Sequence, residues 1–400
     1  MNVKLYRILD YYFGIPLCFI LTIVDFLRPH RKFSKDSKLK GILFVELSEM
    51  GSTMLAYSAM HRAQEIYEDA EMYFLTFDRN RESVELIGLI DKKNIFTIRD
   101  HGLYSVILDT LRFVIEVNRR RINVVFDLEL FSRYSAILCF LSGAEARVGF
   151  HNFSAEGLYR GNLLTHKVQY NTYWHMTYNF LALVYSIQED PRETPLLKRS
   201  IQSETIRLPQ IEYDEPYIQQ LKSYYPERRK ILVINPDSGT LLPLRNWHID
   251  CFVTVIYEAI KRWSVNVVLV GKNESKECGD YIGKKIGKSD NIINLIGFTN
   301  TVNELVHVIH SGDVFLTCDS GPAHFAALTD TPTIVLFGPE TPKMYSSLSC
   351  EGASLYSNYF CSPCLTARNH RNSPCLDNKC LQAITPEKVL REIANWINPS

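Results

Sequence analysis

Four hundred residues with 46% hydrophobic content are enough for two ordinary domains, each with its own core. Formal net charge is zero, 44 basic against 44 acidic residues, which excludes a nucleic-acid partner held by general phosphate attraction. The 10 cysteines occur in a chain with no secretory cleavage site after its N-terminal apolar stretch, which points to a reduced, cytosolic compartment.

Residues 1–40 predict a membrane-associating segment. Tyr11 to Val24 is an uncharged apolar run bounded by Asp10 and Asp25, with Gly14-Ile15-Pro16 inside it. It is shorter than the ~20 residues of a spanning helix, and Gly and Pro interrupt it. Arg28, Arg31, Lys32, Lys35, Lys38 and Lys40 follow, against the single acid Asp36. A short apolar segment before a basic cluster fits a peripheral or monotopic anchor at the anionic cytoplasmic face of the inner membrane. A helix packed on the domain, or a tilted span over Ile8–Leu27, are the alternatives.

Strands and helices then alternate. Gly41–Leu47 is an apolar run, and Met54, Leu55, Ser58, Met60 and Ala63 recur at helical spacing. Met72–Phe77, Asn123–Leu128 and Ala146–Phe150 predict strands, with helices over Leu103–Val117 and Ser132–Leu141. In the second half Ile231–Asn235, Val265–Val270, Ile292–Leu295, Val314–Thr317 and Thr333–Phe337 predict strands. This order implies mostly parallel, doubly wound α/β sheets covered on both faces. The segment 191–229, rich in charge and Pro, is the expected linker between a domain at 41–190 and one at 230–400. A cleft between the two is the expected ligand site.

The most specific motif is Asp319-Ser320-Gly321-Pro322-Ala323-His324, placed where a buried strand ends and a helix begins. Ligands of open α/β sheets bind at such carboxyl ends, and free N–H groups there favour a diphosphate. Ser320, Gly321 and the following amides would hold it, and His324 could donate to phosphate. A second loop, Asn235-Pro236-Asp237-Ser238-Gly239-Thr240, precedes Arg245-Asn246-Trp247. Ser238 and Thr240 with the planar fork of Arg245 make a plausible phosphate cradle. Gly271-Lys272-Asn273-Glu274 forms a third.

Together with Pro332 and Leu336-Phe337-Gly338-Pro339-Glu340-Thr341-Pro342, the Asp319–His324 motif resembles the nucleotide-sugar signature of the heptosyltransferase family, family 9 of the glycosyltransferases. The resemblance runs from about Lys40 to the C-terminus and is sharpest at 313–342. It implies a GT-B fold, two Rossmann-like domains facing a cleft. It implies a bacterial enzyme that transfers a sugar, with inversion, from a nucleotide-diphospho-sugar (an ADP-sugar favoured) to a lipopolysaccharide-core or lipid-linked acceptor. Glu274 would hold the nucleotide ribose and Asp319 the sugar or its positioning network. No cofactor is required for catalysis.

Inverting transfer needs a base to take the proton of the attacking hydroxyl. The family carries an Asp in the context Leu-Ser-x-x-Gly-Asp; here the loop reads Leu47-Ser48-Glu49-Met50-Gly51-Ser52. Ser52 cannot serve alone, so Glu49 is the candidate replacement. A non-catalytic nucleotide-sugar-binding protein is the alternative, and an epimerase of the same fold has no support from the anchor or the cysteines. Asp127-Leu128-Glu129 could hold Mg²⁺, though acceptor binding or a pairing with Arg133 fits better. His151, Tyr159, Arg160 and His175 are further polar candidates for the acceptor. Cys361, Cys364, Cys375 and Cys380, spaced C-x2-C-x10-C-x4-C, are candidate ligands of a structural zinc, with free thiols or disulfides as alternatives.

Overall fold

The computed structural model describes residues 8–27, 33, 38–151, 153, 159–225, 229–239 and 242–398. The chain forms two compact units, Met1–Pro209 and Gln210–Ser400. Each is built on a six-stranded sheet whose strands all pair in parallel.

The first sheet comprises β1 (Gly41–Val45), β2 (Glu71–Phe77), β3 (Ile95–Ile98), β4 (Val124–Asp127), β5 (Ala146–His151) and β6 (His166–Gln169), in the order β3-β2-β1-β4-β5-β6. The second comprises β7 (Ile231–Asn235), β8 (Asn266–Leu269), β9 (Ile292–Asn294), β10 (Val314–Cys318), β11 (Thr333–Phe337) and β12 (Gly352–Tyr356), in the order β12-β11-β10-β7-β8-β9. Strands β1, β7, β10 and β11 are buried along their whole length, because helices cover both faces. Their sequences are accordingly continuous apolar runs.

In each sheet the chain winds outward from the first strand, returns, and winds the other way. The winding direction switches between β1 and β4 in the first unit and between β7 and β10 in the second. Loops leaving these central strands splay apart and leave a crevice at their carboxyl ends.

The N-terminal run is a continuous helix, contrary to the expectation that Gly14 and Pro16 would break it. A π-helical turn over Asp10–Gly14 leads into α1 (Ile15–Leu27). The wider turn absorbs the irregularity, and Pro16 falls in the first turn of α1, where its missing N–H costs little. The 18 residues Asp10–Leu27 are long and apolar enough, by length and composition, to cross a membrane. One face docks on the first unit: Cys18 packs among Ala136, Ile137, Phe140 and Leu163. Asp10 pairs with the buried Arg133 at 2.6 Å and Asp25 with Arg147 at 3.1 Å. These pairings explain why acids can bound so apolar a stretch. The basic residues Arg28, Arg31, Lys32 and Lys35 lie outside the described residues.

The expected linker is not structureless. Within it α2 (Glu215–Ser223) is capped by Asp214 and packs on the second unit through Leu221. The edge strands β3, β6 and β12 were not anticipated. They are short, and β6 (His-Lys-Val-Gln) alternates burial instead of presenting an apolar run.

Candidate functional site

In the second unit the carboxyl ends of β7, β8 and β10 bring three of the expected loops together. Trp247 anchors the segment after β7: it is buried, its backbone N–H donates to Cys318 Sγ at 3.4 Å and its indole N–H to the Ile384 carbonyl at 3.0 Å. Two residues earlier, Arg245 is thereby held with its guanidinium 3.6 Å from the buried carboxylate of Asp319. Asn235 on β7 donates to Thr317 on β10 at 3.3 Å, tying the two central strands together.

Two expected hydroxyl ligands are otherwise engaged. Ser238 donates its hydroxyl and its backbone N–H to Asn246 Oδ1. Ser320 turns its hydroxyl back on the Cys318 carbonyl at 3.1 Å. Both loops therefore offer backbone to a ligand more than hydroxyls. Thr240 lies outside the described residues. His324 is buried in the short helix Gly321–Phe325, and Glu274 is exposed in the single turn Asn273–Ser275.

Sequence reading missed Asp237. One carboxylate oxygen accepts from the Gly239 N–H at 2.8 Å, and the other from the Ser275 hydroxyl at 2.8 Å. It braces the loop after β7 to the loop after β8. Gly239 has φ +87°, a left-handed conformation that only glycine adopts without strain. Gly321 does not: its φ is ordinary, and the nearest protein atom to a Cβ there would be Phe325 at 4.0 Å. Neither backbone strain nor the chain's own packing asks for glycine at 321.

In the first unit the switch point lies between β1 and β4. Glu129 reaches across it. One of its carboxylate oxygens accepts from the backbone N–H groups of Leu47 and Ser48, at 2.9 and 2.8 Å, and from the Ser48 hydroxyl at 2.9 Å. Burial, then the nearby charge of Glu49, pushes the Glu129 carboxyl up from its ordinary value. Glu49 sits immediately before the long helix Met50–Ile66 and accepts from the Ser52 hydroxyl at 3.1 Å. The structure thus puts the candidate base beside the residue it would replace.

Arg133 does not pair with the Asp127–Glu129 acids; it belongs to the N-terminal helix contact. Asp127 is instead buried beside Arg160 at 3.8 Å. With Glu129 committed to the loop and Asp127 enclosed, the triplet presents no open pair of carboxylates. His175 caps the helix Met176–Ser186 by accepting from the Thr177 N–H at 3.4 Å, a structural duty. His151 is pushed down to about 4 by burial and the charges of Lys167 and Arg160. The Tyr159 carbonyl accepts from Arg133 at 2.7 Å.

The four late cysteines lie on a loop docked under β11. The N–H groups of Cys364 and Leu365 both donate to the Pro339 carbonyl, at 2.9 and 3.0 Å, and Arg371 pairs with the buried Glu340 at 3.1 Å. Burial raises the Cys380 thiol, which has Cys364, Cys375 and Cys361 as neighbours. All four are free thiols. Cys364 accepts from Ser373 at 3.3 Å, and Cys375 points to Asp377 at 3.7 Å. As placed, no three His, Cys, Asp or Glu side chains among the described residues are set to hold a metal ion.

Residues 112–373 match the model of glycosyltransferase family 9 (heptosyltransferase). This chain belongs to that family. It is 29% identical over 174 residues to lipooligosaccharide heptosyltransferase 2 of Campylobacter jejuni subsp. jejuni serotype O:2, a match covering 43% of this chain and 52% of the relative. The chain thus spans about half the length of the curated relatives it matches. Among solved structures, the Escherichia coli ADP-heptose lps heptosyltransferase II aligns over 89% of this chain and 98% of its own, with 20% identity and a TM-score of 0.67. A family 9 glycosyl transferase from Veillonella parvula aligns over 92% and 100%, with 16% identity and a TM-score of 0.68. An iron-containing dodecameric glycosyltransferase, TibC, from enterotoxigenic E. coli covers 91% of this chain and 80% of its own, at 11% identity and a TM-score of 0.51. These likenesses establish the family's GT-B fold of two Rossmann-like units.

Asp127 generates a pH prediction. Burial, opposed by Arg160, pushes its carboxyl up from 3.8 to about 7. The folded state therefore binds a proton that the unfolded state releases between those values. This contribution is fully present below about pH 4 and is lost as pH rises through about 7, on the order of a few kcal/mol. Thermal melts between about pH 5 and pH 8 should show the native chain losing stability relative to Asp127→Asn, whose amide does not titrate. A parallel pH profile for the two proteins would remove the assignment.

Proposed function

We propose that this family 9 chain is an inverting glycosyltransferase. It would move a heptose or related sugar from a nucleotide-diphospho-sugar, ADP-linked by analogy with the named relatives, to a glycan acceptor of lipopolysaccharide-core or lipid-linked type. The acceptor class fits work at the cytoplasmic face of the inner membrane, with residues 1–40 as the attachment. The observation that carries the reading is the Arg245–Asp319 pair at the β7/β10 switch point, beside Gly321. A glycine that the chain's own packing does not require is accounted for by a ligand that approaches the backbone closely.

In this reading the second unit holds the donor. Arg245 offsets the negative charge gathering on the departing diphosphate, and the amides after Asp319 donate to it. Asp319 orients Arg245 and faces the sugar. Glu274 takes the ribose hydroxyls, which two carboxylate oxygens can accept together. The acceptor hydroxyl oxygen attacks the anomeric carbon, the bond from that carbon to the diphosphate oxygen breaks, and the hydroxyl proton passes to Glu49. Glu129 holds the loop that carries Glu49. No cofactor enters the reaction. Ser52, where the family carries an Asp, favours the second reading: a nucleotide-sugar-binding protein without transfer activity.

Calorimetric titration with ADP tests the donor assignment. Arg245→Ala should weaken binding roughly 10- to 100-fold, the worth of a charge-assisted hydrogen bond. Unchanged affinity in both Arg245→Ala and Glu274→Ala, with the fold intact, would remove it.

Glu49→Gln should lower turnover by about 10²–10⁴-fold and leave donor affinity nearly intact, since a base acts only on the reacting proton. Near-normal turnover would exclude Glu49. Tight nucleotide binding by the native chain with no transfer to lipopolysaccharide-core acceptors would support the second reading.

Cys361, Cys364, Cys375 and Cys380 are proposed as ligands of one structural zinc, with iron, which TibC contains, as the competing occupant. Elemental analysis of chelator-free protein should find one equivalent of metal and identify it. Metal-free protein with four titratable thiols in this loop would leave them as free cysteines.

A further inference from the structure

A second apolar surface lies on the helix Leu103–Arg119, here named α3. Leu103, Tyr104, Ile107, Leu111 and Ile115 are all more than half exposed there. At 100° per residue these five side chains occupy a continuous arc of about 120°. The opposite side of the helix, through Phe113 and Val117, is buried on the sheet.

Neighbouring contacts fix where the arc points. The helix Arg133–Leu141, named α4, lies against this helix: Thr110, about 20° outside one edge of the arc, meets the Tyr134 hydroxyl at 2.6 Å, and Asn118, at the arc's mid-angle just past Ile115, donates to the Leu141 carbonyl at 3.0 Å. The arc therefore faces outward and leans over α4. The N-terminal α1 packs on that same helix through Cys18, and it exposes Phe13, Phe19, Ile20, Ile23 and Phe26. Two apolar ridges thus flank one buried helix. Their ends also border one cavity, lined by Asp25 of α1, by Val117 and Arg121 at the end of α3, and by Lys40. Because Lys40, Asn123 and Thr165 precede β1, β4 and β6, this cavity opens at the amino ends of the strands, away from Glu49.

Charge identifies the occupant. Arg112 and Arg119 lie about 40–60° beyond the edge of the arc that faces away from α4. The acids of α3 are both tied to arginine: Asp109 to Arg99 at 2.8 Å and to Arg112 at 3.2 Å, and Glu116 to Arg120 at 2.9 Å. Against those two acids stand Arg99, Arg112, Arg119, Arg120 and Arg121, an excess of three positive charges. An apolar face with a cationic rim, continuous with a long apolar helix, matches an anionic bilayer surface. A second copy of the chain would set this cationic rim against a like one.

We propose that the exposed stripe of α3 and the exposed face of α1 form one membrane-seated surface, with Arg112, Arg119 and Arg121 at the level of anionic headgroups. The proposal rests on the membrane reading of residues 1–40 and adds to it a contact made by the folded domain itself.

Flotation of the full chain with phosphatidylethanolamine/phosphatidylglycerol vesicles tests it. The triple variant Ile107→Ser, Leu111→Ser, Ile115→Ser replaces exposed side chains, so the fold should survive. It should partition about tenfold more weakly or worse. In a second measurement, the Tyr104→Trp reporter should be quenched by bromine-labelled acyl chains beyond the quenching of the parent protein. A triple variant that floats like the parent, with an unquenched Tyr104→Trp reporter, would overturn the proposal. If Phe19→Ser, Ile20→Ser, Ile23→Ser then releases the protein, the anchor reading of α1 still stands. A triple variant that loses binding while this α1 variant keeps it would leave the lipid contact to α3 alone and overturn the joint surface. A full chain that floats with no vesicle overturns both. Self-association abolished by the triple variant, without an effect on flotation, would assign the stripe to a second copy and overturn the lipid contact.

Discussion

The parallel pairing of β1 with β4, and of β7 with β10, is the constraint on which the rest of the molecule depends. Parallel strands send all their outgoing loops to one end, and a reversal of winding parts two of those loops. In the second unit the parted loops carry Arg245 and Asp319. In the first they carry Glu49 and Glu129. Each pair of chemically useful side chains is far apart in sequence and is brought together only by register.

In both candidate sites an acid braces the loops. Asp237 spends both its oxygens, and Glu129 one of its two, on N–H and hydroxyl groups of neighbouring loops. Such internal acceptors fix a glycine-bearing loop in one conformation, so ligand binding need not order it. Ser238 and Ser320, which look like ligands in the sequence, also turn inward, to Asn246 and to the Cys318 carbonyl.

The central strands and Asp319–His324 could be read from the chain because each is a local signal: a buried run of β-formers, or a turn of unusual composition. Ile231–Asn235 and Thr333–Phe337 match their expected limits. Strands β3 and β6 escaped because a strand of four residues, partly polar at a sheet edge, carries no distinctive period. The pairings of Asp10 with Arg133 and Asp127 with Arg160 also escaped. Nothing in a sequence tells an acid which of several arginines will be buried beside it. The uninterrupted helix at 10–27 was missed for a different reason: a π-turn relieved the Gly-Pro interruption that composition alone treats as a break.

The buried carboxylate of Glu340 stands at the end of β11, and its arginine partner comes from the cysteine-bearing loop rather than from the sheet. That loop is also hung from the Pro339 carbonyl by two consecutive amides. It therefore closes the end of β11 from outside the sheet. Whatever modifies the thiols, such as an oxidant, acts at the foot of the strand next to the one bearing Asp319. A chain trimmed of the loop would leave the acid at β11 without the guanidinium that faces it.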